Sequence, residues 1–539
     1  MATIAEVEVQ VSQECRTEPR SAFANRFKRI SWLLSDTTLT KKAYLNAIAA
    51  ALDYGGRLVV GFVLNPLLVR GLGDYGYGSW QLLGRLISYI APASGRPTQT
   101  LKWTIACQQA DSDWEAKRRQ VGSALGVWLL FLPLLAILGL AVVWFVPTWL
   151  KAPSGMSQVV RIAAALLVAE MMLGNLADVP RSVLEGENLG YKRMGLSACM
   201  VGLGGGLMAL AVYFKTGLIG VAAANLATTL LTGVFFLQVV RACVVWFGVI
   251  MPSYQEIRRF LALSGWFLGW RIVFQLMTAS DVVMLGILKS VKLVTTYTLT
   301  KYVPEAAVSL VAIVVFGITP GLAGIVGSGD LKKAVQLRSE IMSLTWLILT
   351  VVGTTTLLWN QSFIQLWVGK TYDAGLSSVL LILVMTMQFV LIRNDGSIID
   401  ITLDLRWKVL LGALSVVLSI ALAAFLIRYT KSGIAGLCLG FIAGRLLLTV
   451  TYPLLVGRRL GISAISQFWS SLRPLLVTSS LLSSVFIANR FLNPASWMGL
   501  VVGVATTVLL ISPVAFYFGL PPQYRRRLLQ RLVALHVPA

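Results

Sequence analysis

The chain has 539 residues, of which 57% are hydrophobic and only 13% charged, whereas soluble domains carry roughly a quarter charged side chains. With a mean hydropathy of +0.77, that balance excludes a water-soluble enzyme. Lys and Arg number 46 against 23 Asp and Glu, a net charge of +23, but the basic residues lie mostly between apolar runs, so the excess marks topology and not a nucleic-acid footprint.

Residues 1–43 are polar and mixed in charge, without the short apolar core and small-residue cleavage site of a secretory signal. They read as a cytoplasmic tail. A spanning helix needs about 20 apolar residues, and runs of that kind fall at 44–68, 77–106, 121–150, 158–181, 195–214, 218–240, 261–287, 297–319, 341–363, 376–392, 409–429, 434–456, 473–492 and 497–519. The expected fold is all-α, a polytopic membrane protein with about 14 transmembrane helices. Runs this long and unbroken exclude a β-barrel, whose strands alternate. With the amino terminus placed inside, the basic clusters Lys117-Arg118-Arg119, Arg258-Arg259, Lys332-Lys333, Arg458-Arg459 and Arg525-Arg526-Arg527 share the cytoplasmic side, and the bias predicts both termini there. Gly202 and Gly206, like Gly440 and Gly444, have the spacing that lets helix backbones approach closely.

An offset of about 216 residues aligns the chain with itself. Gly217-Leu218-Ile219-Gly220-Val221 then matches Gly433-Ile434-Ala435-Gly436-Leu437, and Leu189-Gly190-Tyr191-Lys192 matches Leu405-Arg406-Trp407-Lys408. The predicted plan is a tail (1–43), a six-helix bundle (44–240), a cytoplasmic linker (241–260), a second six-helix bundle (261–456), a linker with two appended spans (457–519) and a basic tail (520–539). Because the offset covers an even number of crossings, the two bundles are expected to be pseudo-symmetric about the membrane normal, around a central cavity, as in alternating-access transporters.

Arg57, Arg85, Arg96, Lys102, Arg271, Lys301 and Arg445 fall deep inside predicted spans, where each costs about 2.5–3.5 kcal/mol if it faces lipid. They are expected to face a hydrated interior. Arg57, Arg85 and Arg271, with Lys301, are the candidate anion-binding residues of that cavity, since guanidinium groups suit phosphate oxygens. Asp53 stands four residues before Arg57, a spacing that allows an ion pair. Asp53, Asp281 and Glu305 are the candidate coupling-ion residues, with H+ or Na+ as the ion; Glu170 and Asp178 carry the same alternatives of coupling or plain structural pairing. Cys15, Cys107, Cys199, Cys243 and Cys438 are scattered and His536 is the single histidine, so no catalytic residue, metal or cofactor is predicted.

Several strings together resemble one family: Asn65-Pro66-Leu67-Leu68-Val69-Arg70-Gly71-Leu72-Gly73 with Tyr75-Gly76, Leu184-Glu185-Gly186-Glu187, Asp281 with Leu285-Gly286 and Tyr297, the passage from Thr319-Pro320 to Gly329-Asp330, and Leu366-Trp367-Val368-Gly369-Lys370-Thr371-Tyr372. In order and spacing the chain is similar to Wzx-type polysaccharide flippases of the multidrug/oligosaccharidyl-lipid/polysaccharide exporter superfamily. The resemblance implies translocation of a polyprenyl-pyrophosphate-linked oligosaccharide across the bacterial inner membrane, with membrane lipids and polysaccharide polymerase or export proteins as partners. It also suggests that the two appended spans shelter the lipid tail; packing alone is the plainer role. The alternatives are a cation-coupled multidrug-type exporter of the same superfamily and a non-transporting membrane scaffold.

Overall fold

In a bilayer each backbone N–H and C=O must find its partner within the chain, and the computed structural model contains helices and no strand among the described residues. Those residues are 39–95, 97–108, 113–187, 189, 196–262, 265–327, 331–401, 405–429, 433–489, 496–522 and 524–526. Arg96, Tyr191, Lys192, Gly329, Asp330, His536 and the tail before residue 39 lie outside them. Twelve helical stretches are long and apolar enough to cross a membrane, so the chain is a multi-pass membrane protein.

The first helical stretch, α1 (Leu39–Ile90), has 52 residues and is interrupted at Gly73, with φ 70° and ψ 175°. The Tyr77 hydroxyl donates to Asn65 Oδ1 at 3.2 Å, although in one straight helix the two residues would sit about 18 Å apart along the axis. The chain therefore doubles back at Gly73, in a conformation that glycine alone adopts without strain, and α1 supplies two crossings. The expected unbroken span over 77–106 is corrected. A 3₁₀ turn at Ala91–Ser94, with Gly95 at φ 69°, separates it from α2 (Pro97–Cys107), because Pro92 and Pro97 each remove a backbone donor.

The rest of the first half is α3 (Trp114–Trp149), α4 (Ser157–Ala177) with its extension α5 (Val179–Gly186), α6 (Leu196–Tyr213) and α7 (Gly217–Cys243). A short helix, α8 (Tyr254–Ala262), leads to the second half: α9 (Gly265–Leu288), α10 (Val291–Gly327), α11 (Leu331–Trp367), α12 (Leu376–Ile401), α13 (Leu405–Tyr429) and α14 (Gly433–Leu460). The appended pair is α15 (Ala464–Ala488) and α16 (Trp497–Val514). The halves repeat one packing scheme: α4 lies on α7 as α12 lies on α14, α1 on α6 as α9 on α13, and α6 on α7 as α13 on α14. The two halves meet where α1 runs along α9 and α10. Leu129, Leu130, Leu134, Ile137, Leu140, Trp144 and Phe145 are exposed along α3, the belt a lipid-facing helix needs.

Close approach follows different glycines in the two halves. At Gly440 and Gly444 an added Cβ would fall within 2.3–2.4 Å of the Ala423 and Ser419 backbones, so α13 and α14 touch main chain to main chain as their spacing predicts. Gly202 and Gly206 have open space instead. Their neighbours Gly204 and Gly205 make the approach, to Thr228 and Val60. The appended pair fastens to α11: Thr350 and Thr478 hydroxyls lie 2.6 Å apart, Trp359 Nε1 donates to Thr507 Oγ1 at 2.9 Å, and Asn489 Nδ2 donates to the Leu358 carbonyl at 2.6 Å.

Candidate functional site

Where α1 meets α9 and α10, four charged residues form one network. Asp281 is 2% exposed and accepts from Lys301 Nζ at 2.5 Å, from the Tyr297 hydroxyl at 2.7 Å and from the Val282 amide at 2.8 Å. One turn along α10 from Lys301, Glu305 pairs with Arg85 of the other half at 3.2 Å. Beside it the Tyr89 hydroxyl donates to Ser280 Oγ at 2.9 Å, and Gln275 Nε2 donates to Ser88 Oγ at 2.7 Å. The two cations are thus matched by two carboxylates. Arg85 and Lys301, expected as free anion ligands, are brought together with Asp281 and Glu305, expected as ion-coupling groups. A buried charge is tolerated when it is paired and hydrogen-bonded.

Arg57 and Asp53 lie elsewhere on α1. Asp53 is buried and Arg57 exposed, and among the described residues no ion pair joins them. At about 100° per residue, Arg57 points roughly opposite the exposed Val59 and Phe62. It occupies the arc between the face that meets α6 through Gly56 and Val60 and the face that meets α10 through the Leu58 carbonyl and Tyr302. That placement turns it away from the lipid belt.

Arg271 sits about 15 Å along α9 from Asp281, in a different setting. Its guanidinium lies 5.7 Å from the Phe274 ring centroid, and that of Arg393 lies 5.8 Å from the same ring. Trp270 and Phe389 flank Phe274, with centroids at 6.2 and 6.1 Å. Deeper in, Arg445 donates to the Met277 carbonyl at 2.7 Å and stacks on Phe389 and Phe441. Lys408 is 1% exposed, pairs with Asp400 at 2.6 Å and lies 3.8 Å over the Trp270 ring. Arg338 pairs with Asp395 at 2.8 Å. Sequence reasoning missed Arg393, Asp395 and Asp400 because the predicted span stopped at 392, whereas α12 continues to Ile401. It missed Arg338 for the same reason, since α11 starts at Leu331.

The two ends of the molecule differ. At the end with the basic clusters, Lys102 pairs with Glu185 at 2.9 Å, Arg181 with Glu185 at 3.1 Å, Lys117 with Glu187 at 3.1 Å and Arg119 with Glu256 at 3.3 Å. Arg118 Nε donates to the Trp246 carbonyl at 2.8 Å, so the segment between the halves is tied to α3. Lys102 belongs to α2 in this layer, past the break in the second crossing. At the opposite end the halves close on each other. Trp367 Nε1 donates to the Phe62 carbonyl at 2.7 Å, and Phe62 stacks on Trp367 with centroids 5.8 Å apart. Trp497 of α16 meets Phe62 edge-on at 5.9 Å and Phe363 at 6.2 Å. The Tyr372 hydroxyl donates to Asp74 Oδ1; burial first, then the adjacent carboxylate, push that hydroxyl up to about 12. Glu170 accepts from Thr229 at 2.9 Å within the first half.

No family model matches the chain, and no curated protein matches it. Solved structures do. An inward-facing multidrug resistance MATE family transporter of the MOP superfamily aligns at 16% identity over 75% of this chain and 94% of its own, with a TM-score of 0.60. An outward-facing MATE family transporter of that superfamily aligns at 17% identity over 80% and 97%, with a TM-score of 0.53. A MOP superfamily transporter from Pyrococcus furiosus, described by a binding pocket of reversed polarity that suggests a different function, aligns at 15% identity over 78% and 96%, with a TM-score of 0.52. The chain therefore has the fold of MATE transporters of the MOP superfamily.

Proposed function

We propose that the chain is a flippase that moves a polyprenyl-pyrophosphate-linked oligosaccharide across the bacterial cytoplasmic membrane by alternating access, with both termini in the cytoplasm. The observation that carries this reading is Arg271: a guanidinium in the second half, held against aromatic rings, with no carboxylate partner among the described residues. An interior with unmatched positive charge favours an anionic cargo and disfavours a cationic drug. Arg85 and Lys301 then serve by exchange, leaving Glu305 and Asp281 for the diphosphate as it passes. A coupling proton on Glu305 would release Arg85 for that task. Arg57 supplies a further cation on α1, and the closed end at Trp367 and Tyr372 faces outward in this reading.

The test is flipping of a fluorescent polyprenyl-diphosphate oligosaccharide in proteoliposomes, beside efflux of a cationic dye. Flipping that falls strongly in Arg57→Ala and Arg85→Ala supports the proposal. Dye efflux without glycan flipping would select the multidrug-type reading, to which the fold is equally suited. Loss of surface glycan on deleting the gene, restored only by variants that keep the arginines, tests the same point in cells and provides the setting in which polymerase or export partners are sought.

A further inference from the structure

We propose that the basic end of the appended pair binds the phosphate headgroup of an anionic phospholipid, through Arg473 and Arg525 around Tyr517, with Phe468 and Trp469 against its acyl portion. The lipid belongs to the leaflet at that end, which the topology argued above makes cytoplasmic. From Leu405 to Ala539 the sequence contains no Asp and no Glu, yet Arg458, Arg459, Arg473, Arg525, Arg526 and Arg527 all fall within it. Elsewhere the cations of the interior meet carboxylates, as Arg85, Lys102, Lys117, Lys301 and Arg338 do. The appended pair has no carboxylate side chain of its own to offer. Among the described residues none lies within ion-pair distance of Arg473 or Arg525, so an anion that matches them comes from outside.

The two arginines converge from different segments. After α16 the chain makes a π-helical turn, Ala515–Gly519, on which α15 packs, and the last carbonyls of a helix lack intrahelical donors. Arg473 of α15 supplies them: its Nε donates to the Phe518 carbonyl at 2.8 Å and its Nη2 to the Tyr517 carbonyl at 3.4 Å. Arg473 is nevertheless exposed, so the remaining donors of its guanidinium are open to a ligand. From beyond the turn, the Arg525 guanidinium lies 5.7 Å from the Tyr517 ring centroid. Its Nε is buried and finds no hydrogen-bond partner among the described residues, a cost that an anion between the two arginines relieves together with their repulsion. The neighbouring rings select a lipid. Phe468 and Trp469 are exposed on the second turn of α15, and Tyr517 and Phe518 on the π-helical turn. Arg473 stands about 14 Å along α15 from its start, so these rings occupy the level at which aromatic belts meet headgroups. A soluble anion or an acidic polypeptide uses only the arginines, whereas a phospholipid covers the rings with its chains while its phosphate takes forked hydrogen bonds. None of these residues belongs to the Arg85, Asp281, Lys301 and Glu305 network, and the site stands whatever the cargo.

The experiment is titration of the purified full chain in detergent with phosphatidylglycerol labelled on an acyl chain, with identically labelled phosphatidylcholine as the zwitterionic control. Binding is read by fluorescence anisotropy, and folding of each variant by its size-exclusion profile. Expected are saturable binding of phosphatidylglycerol and much weaker binding of phosphatidylcholine. Affinity should fall about fivefold in Arg473→Gln and in Arg525→Gln, and roughly 25-fold in the double variant, the contribution of basic residues beside an anionic surface. Arg473→Lys, which keeps the charge, should retain most of the affinity, and Trp469→Ala should weaken it. Lys151→Gln with Lys215→Gln removes the same charge from exposed positions at the opposite end and should change nothing. Arg525→Gln leaves the helix-end fork of Arg473 intact, so it carries the test by itself if the double variant does not fold. Unchanged affinity in the folded arginine variants, an equal loss in the lysine control, equal binding of phosphatidylcholine, or displacement of the lipid by millimolar inorganic phosphate would overturn the site.

Discussion

Along α9 two groups of basic residues lie about 15 Å apart, and they are neutralised by different means. Around Asp281, Lys301 and Arg85 each meet a carboxylate, and Asp281 also accepts from the Tyr297 hydroxyl and the Val282 amide. Around Arg271 the neighbours are ring faces and a second arginine. The buried Asp281–Lys301 pair is complete without a ligand, so its removal should show mainly in stability. In the second group, Arg271 meets ring faces and no carboxylate among the described residues, so its removal should cost little stability. Charge inside a membrane protein is therefore read by its partners and not by its depth alone.

The sharpest way to break this contrast is Asp281→Leu. It strands the Lys301 ammonium, which is only 12% exposed in its side chain, and should cost about 3–5 kcal/mol, seen as a large fall in the thermal unfolding temperature in detergent. Adding Lys301→Met should recover most of the loss, because the desolvated pair goes together. If the single variant unfolds at the unmodified temperature, the network is not structural.

A smaller effect is expected at the closed end. Trp497→Ala removes two edge-on ring contacts, each worth about 0.5–1.5 kcal/mol beyond area burial. In a chain bearing Tyr372→Cys, the variant should label faster with a membrane-impermeant maleimide than its Trp497 parent. Equal rates would mean that α16 takes no part in holding the halves together there.

Glu305→Gln should change stability little, since its pair with Arg85 is half-exposed, at 47% and 29%, and such pairs contribute about 1 kcal/mol or less. It should instead raise affinity for farnesyl diphosphate by freeing Arg85, which calorimetry measures. Arg271→Gln should move stability least, by about the 0.5–1 kcal/mol of an exposed cation–π contact, while lowering glycan flipping in the proteoliposome assay. A collapse of the folded fraction in Arg271→Gln would show that the two groups are alike after all.

The sequence by itself determined an all-helical fold that crosses the membrane many times and the charges that have no place in lipid, though not the break in the second crossing. Apolar length and the cost of a charge at membrane depth are properties of a short stretch of chain, so Arg85, Asp281, Lys301 and Glu305 stood out without any knowledge of their neighbours. The tertiary structure decided who those neighbours are. Arg85 and Glu305 are 220 residues apart, and no local pattern assigns a cation to a carboxylate at that distance. Likewise the spacing of Gly202 and Gly206 matches that of Gly440 and Gly444, yet only the second pair touches a facing backbone, because helix rotation is set by packing across a whole surface and not by period. Arg393 entered the site only because α12 runs on past residue 392, where the apolar run is cut by charged and polar residues, to Ile401, held there by the pairs Arg338 with Asp395 and Lys408 with Asp400. Those contacts come from α11 and α13, and a helix end fixed by its neighbours cannot be read from its own residues.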